Sequence, residues 1–128
     1  MHPVTERQLA HLRARFATVD ATPLADGSVL VKVHDVPLPA GWSASTTDVR
    51  FVVPASYPFS ALDCFWADAG LTLASGAAPQ NTGQSPIPGA PLEPVLWFSW
   101  HLVHPWNPNQ DSLSSWMNSI LDRMRRAT

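Results

Sequence analysis

Two short stretches of alternating apolar residues, each shut off by proline, constrain this chain more than any other feature. Val29, Val31 and Val33 alternate with Leu30, Lys32 and His34 ahead of Pro37 and Pro39; Val49, Phe51 and Val53 alternate ahead of Pro54. Side chains along a strand point to opposite faces with a period of two, so each stretch reads as a strand with one buried face. Proline ends each one because it has no N–H to give to a ladder. The spacing predicts a strand over about 28–36, a second from Val49 to Val53, and a meander turning through Gly41-Trp42 between them. Pro23 and Asp26-Gly27 mark a turn before the first strand. A third apolar run, Leu62 to Leu73, is broken by Asp68-Ala69-Gly70, which predicts a strand, a turn and a short extended piece.

Helical periodicity appears only near the ends. Thr5 followed by Gln8 is a capping-box pattern, and Leu9, Leu12 and Phe16 recur at helical spacing, so a helix is expected over about residues 5–17. Asp111 suits an N-cap, and Leu113, Trp116, Met117, Ile120, Leu121 and Met124 fall on one face of the helix after it. Arg123, Arg125 and Arg126 in its final turns oppose the negative end of the helix dipole. Between Ala74 and Pro94 the chain is almost all Gly, Pro, Ser, Asn, Gln and Ala, which predicts a long surface loop with almost nothing to bury. Val95-Leu96-Trp97-Phe98 re-enters the core, and Pro105 and Pro108 impose an irregular connection. Helix, about four meander strands, long loop, helix is the order of an α+β domain, its helices on one face of an antiparallel sheet. At 128 residues the chain is sized for a single domain, 1–128, with one core.

Charged residues make up 14% of the chain, against about 25% in an average domain. With six tryptophans, such a surface is expected to be covered by a partner somewhere. A net charge of -2 and scattered basic residues leave no continuous positive stripe, which argues against nucleic acid as the primary ligand. The lone Cys64 excludes an internal disulfide and a multi-cysteine zinc site. Met1 to Arg7 has no apolar signal core, and no apolar run approaches the ~20 residues that span a bilayer. The expectation is a cytoplasmic protein with no membrane partner, no cofactor and no metal.

Val52-Val53-Pro54-Ala55-Ser56-Tyr57-Pro58-Phe59 resembles the P-x-x-Y-P-F stretch of the ubiquitin-conjugating (E2, UBC-like) fold, and Trp106-Asn107-Pro108 before the last helix resembles its W-x-P turn. Together with Gly41-Trp42, Thr47-Asp48, Phe65-Trp66 and Phe98-Ser99-Trp100-His101, these landmarks resemble the bacterial branch called prokaryotic E2 family E, over about residues 5–125. The resemblance implies a UBC-like fold, a ubiquitin-like protein and an E1-like activating enzyme as partners and, by association alone, a setting in antiviral defence. It also implies a nucleophilic cysteine eight residues before the tryptophan of W-x-P. That count reaches Phe98, and no cysteine follows Leu71. His104-Pro105-Trp106-Asn107 is similar to the family's HPN tripeptide but lies on the wrong side of the expected nucleophile.

A retained scaffold with a vacated nucleophile position points to a binding adaptor. The competing reading is an active acyl carrier, in which Ser99 attacks and His101 takes its proton. Structural hydrogen bonding is the plain alternative for both residues. Cys64, flanked by Asp63 and Phe65 in an apolar run, reads as a buried inert thiol. His101 and His104 could be two ligands on a turn, with no third ligand at suitable spacing. Trp97, Trp100, Trp106 and Trp116 suit core packing, while Trp100 and Trp106 are also candidates to anchor a partner. Trp42 is expected to pack its turn. In the family the first helix contributes to binding the activating enzyme, which makes Arg7 and Arg13 candidates, with Arg15 beside them; a solvated charged face is the alternative.

Overall fold

The valine-rich stretches form β2 (Val29–Pro37) and β3 (Thr46–Val53), paired antiparallel with Val31 opposite Phe51 and Lys32 opposite Arg50. They are neighbouring interior strands of a six-stranded sheet in the computed structural model, which describes residues 1–128. Its other strands are β1 (Val19–Pro23), β4 (Phe65–Asp68), β5 (Thr82–Gly83) and β6 (Val95–Phe98). The order is β1-β2-β3-β4-β6-β5, antiparallel throughout. Helix α1 (Pro3–Arg15) precedes the sheet and α2 (Leu113–Met124) follows it.

The period-two alternation aims Val29, Val31, Val33, Val49, Phe51, Val53, Phe65, Ala67, Leu96 and Phe98 at one face of the sheet. Leu9 and Leu12 of α1 and Leu113, Trp116, Met117, Ile120 and Met124 of α2 cover that face. Each large side chain buried there contributes about 1.5–3 kcal/mol. A register shift between Val33 and Val36, with Asp35 at φ 53°, keeps Val36 in the same core.

Several local expectations are corrected. β1 was not predicted: of Val-Asp-Ala-Thr-Pro only Val19 is buried, so no period marks the strand, and its edge position tolerates Pro23. α1 starts at Pro3, with the His2 ring accepting the Val4 N–H at 3.1 Å. Gln8 therefore closes no capping box with Thr5. Its Oε1 accepts instead from the Tyr57 hydroxyl and from the Leu113 N–H at 3.0 Å, fastening α1 to the start of α2. The N-cap of α2 is Ser112, reciprocally bonded to Ser115, and Asp111 lies one residue before it.

The segment 74–94 is not a loop with nothing to bury. It contributes β5 and then straps the outer face of the sheet: the Trp66 indole donates to Ser85 O at 2.9 Å, Ile87 is 0% exposed, and Gly89 turns at φ 84° against Leu24. Glu93 closes the strap, accepting from Lys32 at 3.1 Å and Arg50 at 3.0 Å. Those two cations lie directly opposite one another on β2 and β3, and Glu93 offsets their repulsion. Burial pushes the Glu93 carboxyl up, but the bonds and charges of Lys32 and Arg50 outweigh it and hold it below its ordinary value.

Candidate functional site

The end of β6 and the turn after it carry the residues of interest. Trp106 donates its indole N–H to Pro58 O at 2.7 Å and packs on Tyr57 with ring centroids 5.6 Å apart. The Tyr-Pro-Phe and W-x-P landmarks, some 48 residues apart in sequence, are thus in direct contact. Burial pushes the Tyr57 hydroxyl above its ordinary range, so it stays a neutral donor to Gln8.

Eight residues before Trp106, Phe98 occupies the position the resemblance gives to a nucleophile. It is 1% exposed, stacked on Phe65 at 4.6 Å between centroids and 13° between planes. The Arg123 guanidinium lies 5.2 Å from its ring centroid. Alternation along β6 sends Leu96 and Phe98 inward, so this position faces the core and not a cleft.

Beyond Phe98 the chain leaves the sheet. The Ser99 N–H donates to Asn81 O at 2.8 Å, and Trp100 O accepts the Cys64 N–H at 2.8 Å. The side chains of Ser99 and His101 are exposed and make no hydrogen bond to each other. Cys64 is half-buried at φ 63°, immediately before β4, rather than sealed inside a strand. Trp100 is half-buried beneath Arg123 and Arg126, 5.9 and 5.7 Å from its ring, and its indole N–H is enclosed without an acceptor. Trp116 is wholly core, whereas Trp106 is only half-buried.

Two clefts flank residues 100–104. One of about 310 Å³ lies between Trp100, Leu102 and Val103 and the Ser115, Ser119 and Asp122 side of α2, with Asp111 and Arg126 also lining it. The other, about 240 Å³, lies between Leu62-Asp63 and His101, His104 and Trp106. Both include Leu102 and His104.

His104 and Asp111 form a pairing that residue spacing did not reveal. His104 Nε2 is 3.2 Å from Asp111 Oδ1, and Asp111 Oδ2 accepts the Asn107 N–H at 2.8 Å. Burial pushes the Asp111 carboxyl up, but the bonds from Asn107, His104 and Ser115 together hold it below its ordinary value. The proline-bounded turn 105–108 brings the two residues together, and their i, i+7 separation gave no signal. No group of three His, Cys, Asp or Glu residues is positioned to hold a metal ion, and His104 points one nitrogen at Asp111.

On α1, Arg7 is exposed with no side-chain hydrogen bond. Arg13 donates to Val19 O at 3.3 Å, and Arg15 reaches α2 through Ser114 O and Asn118 Oδ1 at 3.2 and 2.7 Å. Two of the three arginines on this helix therefore fasten it to its neighbours.

Comparison with protein families gives a match to prokaryotic E2 family E over residues 4–127, nearly the whole chain. The chain belongs to that family, and its α+β arrangement of two helices on a six-stranded antiparallel sheet is an E2-like fold. Comparison with curated proteins and with solved structures returned no match. No helix is long and apolar enough to cross a membrane.

Proposed function

From membership in prokaryotic E2 family E, we propose that this chain is a variant E2-like component of a ubiquitin-like conjugation system. Acting as one domain in the cytoplasm, it binds the ubiquitin-like protein, its activating enzyme, or both, without forming a thioester at the family's nucleophile position. The observation that carries this reading is Phe98. A missing cysteine could leave a small polar residue in an open groove; here the position holds a stacked, fully buried aromatic ring. Acyl transfer needs a nucleophile that the incoming carbonyl can reach, and this position offers none. The exposed Ser99 one residue later supports a second reading, an oxyester carrier with His101 as proton acceptor. That carrier would need rearrangement to bring the two side chains into hydrogen-bond reach.

The intact mass of the protein after incubation with the activating enzyme and ubiquitin-like protein of its own genome, with ATP and without reductant, tests both. The expected result is no covalent adduct together with a non-covalent complex in native mass spectrometry. An adduct that vanishes in Ser99→Ala would overturn the adaptor reading in favour of the oxyester carrier. One that survives Ser99→Ala and is released by thiols would instead identify Cys64 as the acceptor.

A further inference from the structure

The strap is fastened to the outer face of the sheet by side chains alone. Its main-chain hydrogen bonds are internal: Ala90 N–H to Ile87 O at 3.0 Å and Glu93 N–H to Ala90 O at 3.3 Å. Its ties to the body are the Trp66 indole on Ser85 O, Ile87 in the apolar cluster of Leu30, Trp66 and Val95, the Gly89 turn against Leu24, and Glu93 between Lys32 and Arg50. Leu92, the strap's other large aliphatic residue, stands 95% exposed and seals nothing. The two ends of the strap join β5 and β6, which are paired neighbours, so it can swing off the sheet with no strand pairing broken. A segment with few buried contacts and no main-chain tie opens while the core beneath it stays folded.

Lifting the strap also leaves the cations of the sheet paired. Without Glu93, Arg50 keeps Asp68 at 2.9 Å and Lys32 keeps Asp48 at 4.0 Å, one carboxylate for each cation. What it uncovers is a composite seat. Leu30, Trp66 and Val95 give an apolar patch, the Trp66 indole N–H calls for an acceptor, and Arg50 Nε and Lys32 Nζ are the donors that had held Glu93. The strap shows which chemistry fits, because it supplies each complement: an aliphatic side chain, a carbonyl oxygen and a carboxylate, on a chain bent at Pro88-Gly89. The seat lies on the opposite face of the sheet from Phe98, so it works alike whether or not the chain carries an acyl group.

We propose that the strap is a built-in pseudo-ligand, occupying in cis a seat that takes a bent, proline-rich segment of a partner protein with one aliphatic and one acidic side chain. The strap must lift before that segment can dock. In the wild type, hydrogen exchange followed by NMR should show the Trp66 indole N–H and the Ala90 and Glu93 amides opening together, with protection at least ~10-fold below that of Val31 and Val33 in β2. Equal protection would mean that the strap lifts only on global unfolding, and would overturn the assignment. In a double variant, Ile87→Ser with Glu93→Gln, the strap is loosened. The strap's own sequence from Ser85 to Glu93, added as a free blocked peptide at about 1 mM, should then shift the Trp66 indole resonance. It should bind the wild type at least ~5-fold more weakly, because the tethered strap competes for the seat. Peptides with serine for the isoleucine, or glutamine for the glutamate, should lose at least ~5-fold in affinity. Should the double variant fail to fold, Glu93→Gln alone serves for the titration. No shift in the loosened protein, equal binding to the wild type, or undiminished binding of the altered peptides would each overturn the assignment. Wild-type dimers that the peptide dissociates would give the seat to a second copy's strap and overturn the partner assignment too.

Discussion

The two faces of the sheet are closed by opposite means. The inner face is sealed by two helices whose apolar stripes meet the alternating valines and phenylalanines, a non-directional closure that scales with the area removed from water. The outer face is sealed by an irregular strap with one fully buried aliphatic residue, Ile87, one indole hydrogen bond from Trp66, and a carboxylate set between two cations. The first closure tolerates repacking so long as volume and pattern are kept. The second depends on individual contacts, and each can be removed by a single substitution.

Substitution at the two faces would sharpen that contrast. The largest effect is expected at Phe98: replacement by alanine should cost about 3–5 kcal/mol in chemical denaturation. Phe98→Cys should cost roughly 3 kcal/mol as well, and its thiol should resist alkylating reagents while the protein is folded. A stable Phe98→Cys protein whose thiol reacts at once would mean that the position is not core. Next comes Ile87→Ala, expected to cost about 2–4 kcal/mol although it lies in a segment of loop composition; a change within ~0.5 kcal/mol, as for an ordinary surface site, would show that the strap does not seal the outer face. Glu93→Gln should cost about 1.5 kcal/mol by removing the charge that Lys32 and Arg50 share, which leaves them only Asp48 and Asp68.

Acid should act on the strap through Glu93 and on the turn before α2 through Asp111. Glu93 and Asp111 both titrate below their ordinary values when folded, so the stability they confer is complete above those values and is lost as pH falls through the folded ones. The denaturation midpoint of the wild type should fall below about pH 4.5, and less steeply in Glu93→Gln. The smallest effect is expected for Ser99→Ala, within ~0.5 kcal/mol, since its exposed hydroxyl joins no bond that holds the fold.

What could be read from the sequence follows the same division. β2, β3 and α2 were legible because burial on one face imposes a period that a reader can count, and β6 because it is an unbroken apolar run. β1 was not, since an edge strand with one buried residue has no period, and its pairing comes from β2. The strap was hidden for a related reason: Ile87 is a lone aliphatic residue among prolines and glycines, and only the fold reveals that Trp66 lies beneath it. Capping illustrates competition between uses of one residue. Thr5 and Gln8 fit a capping box, but the Gln8 amide is taken by Tyr57 and Leu113, partners distant in sequence. At the site, the position of Phe98 followed from counting back from Trp106, whereas the His104–Asp111 pair needed the shape of the 105–108 turn.

The strand order carries a consequence for synthesis. β6 lies between β4 and β5 yet is translated after both, its last residue, Phe98, thirty residues beyond Asp68 at the end of β4. At about 5–20 residues per second, ribosomes would leave the edge of β4, with Phe65 and Trp66 beside it, unpaired for roughly 2–6 s. A nascent chain stalled before Val95 should therefore recruit holding chaperones that the full-length chain, with β6 paired and α2 laid over the inner face, no longer needs.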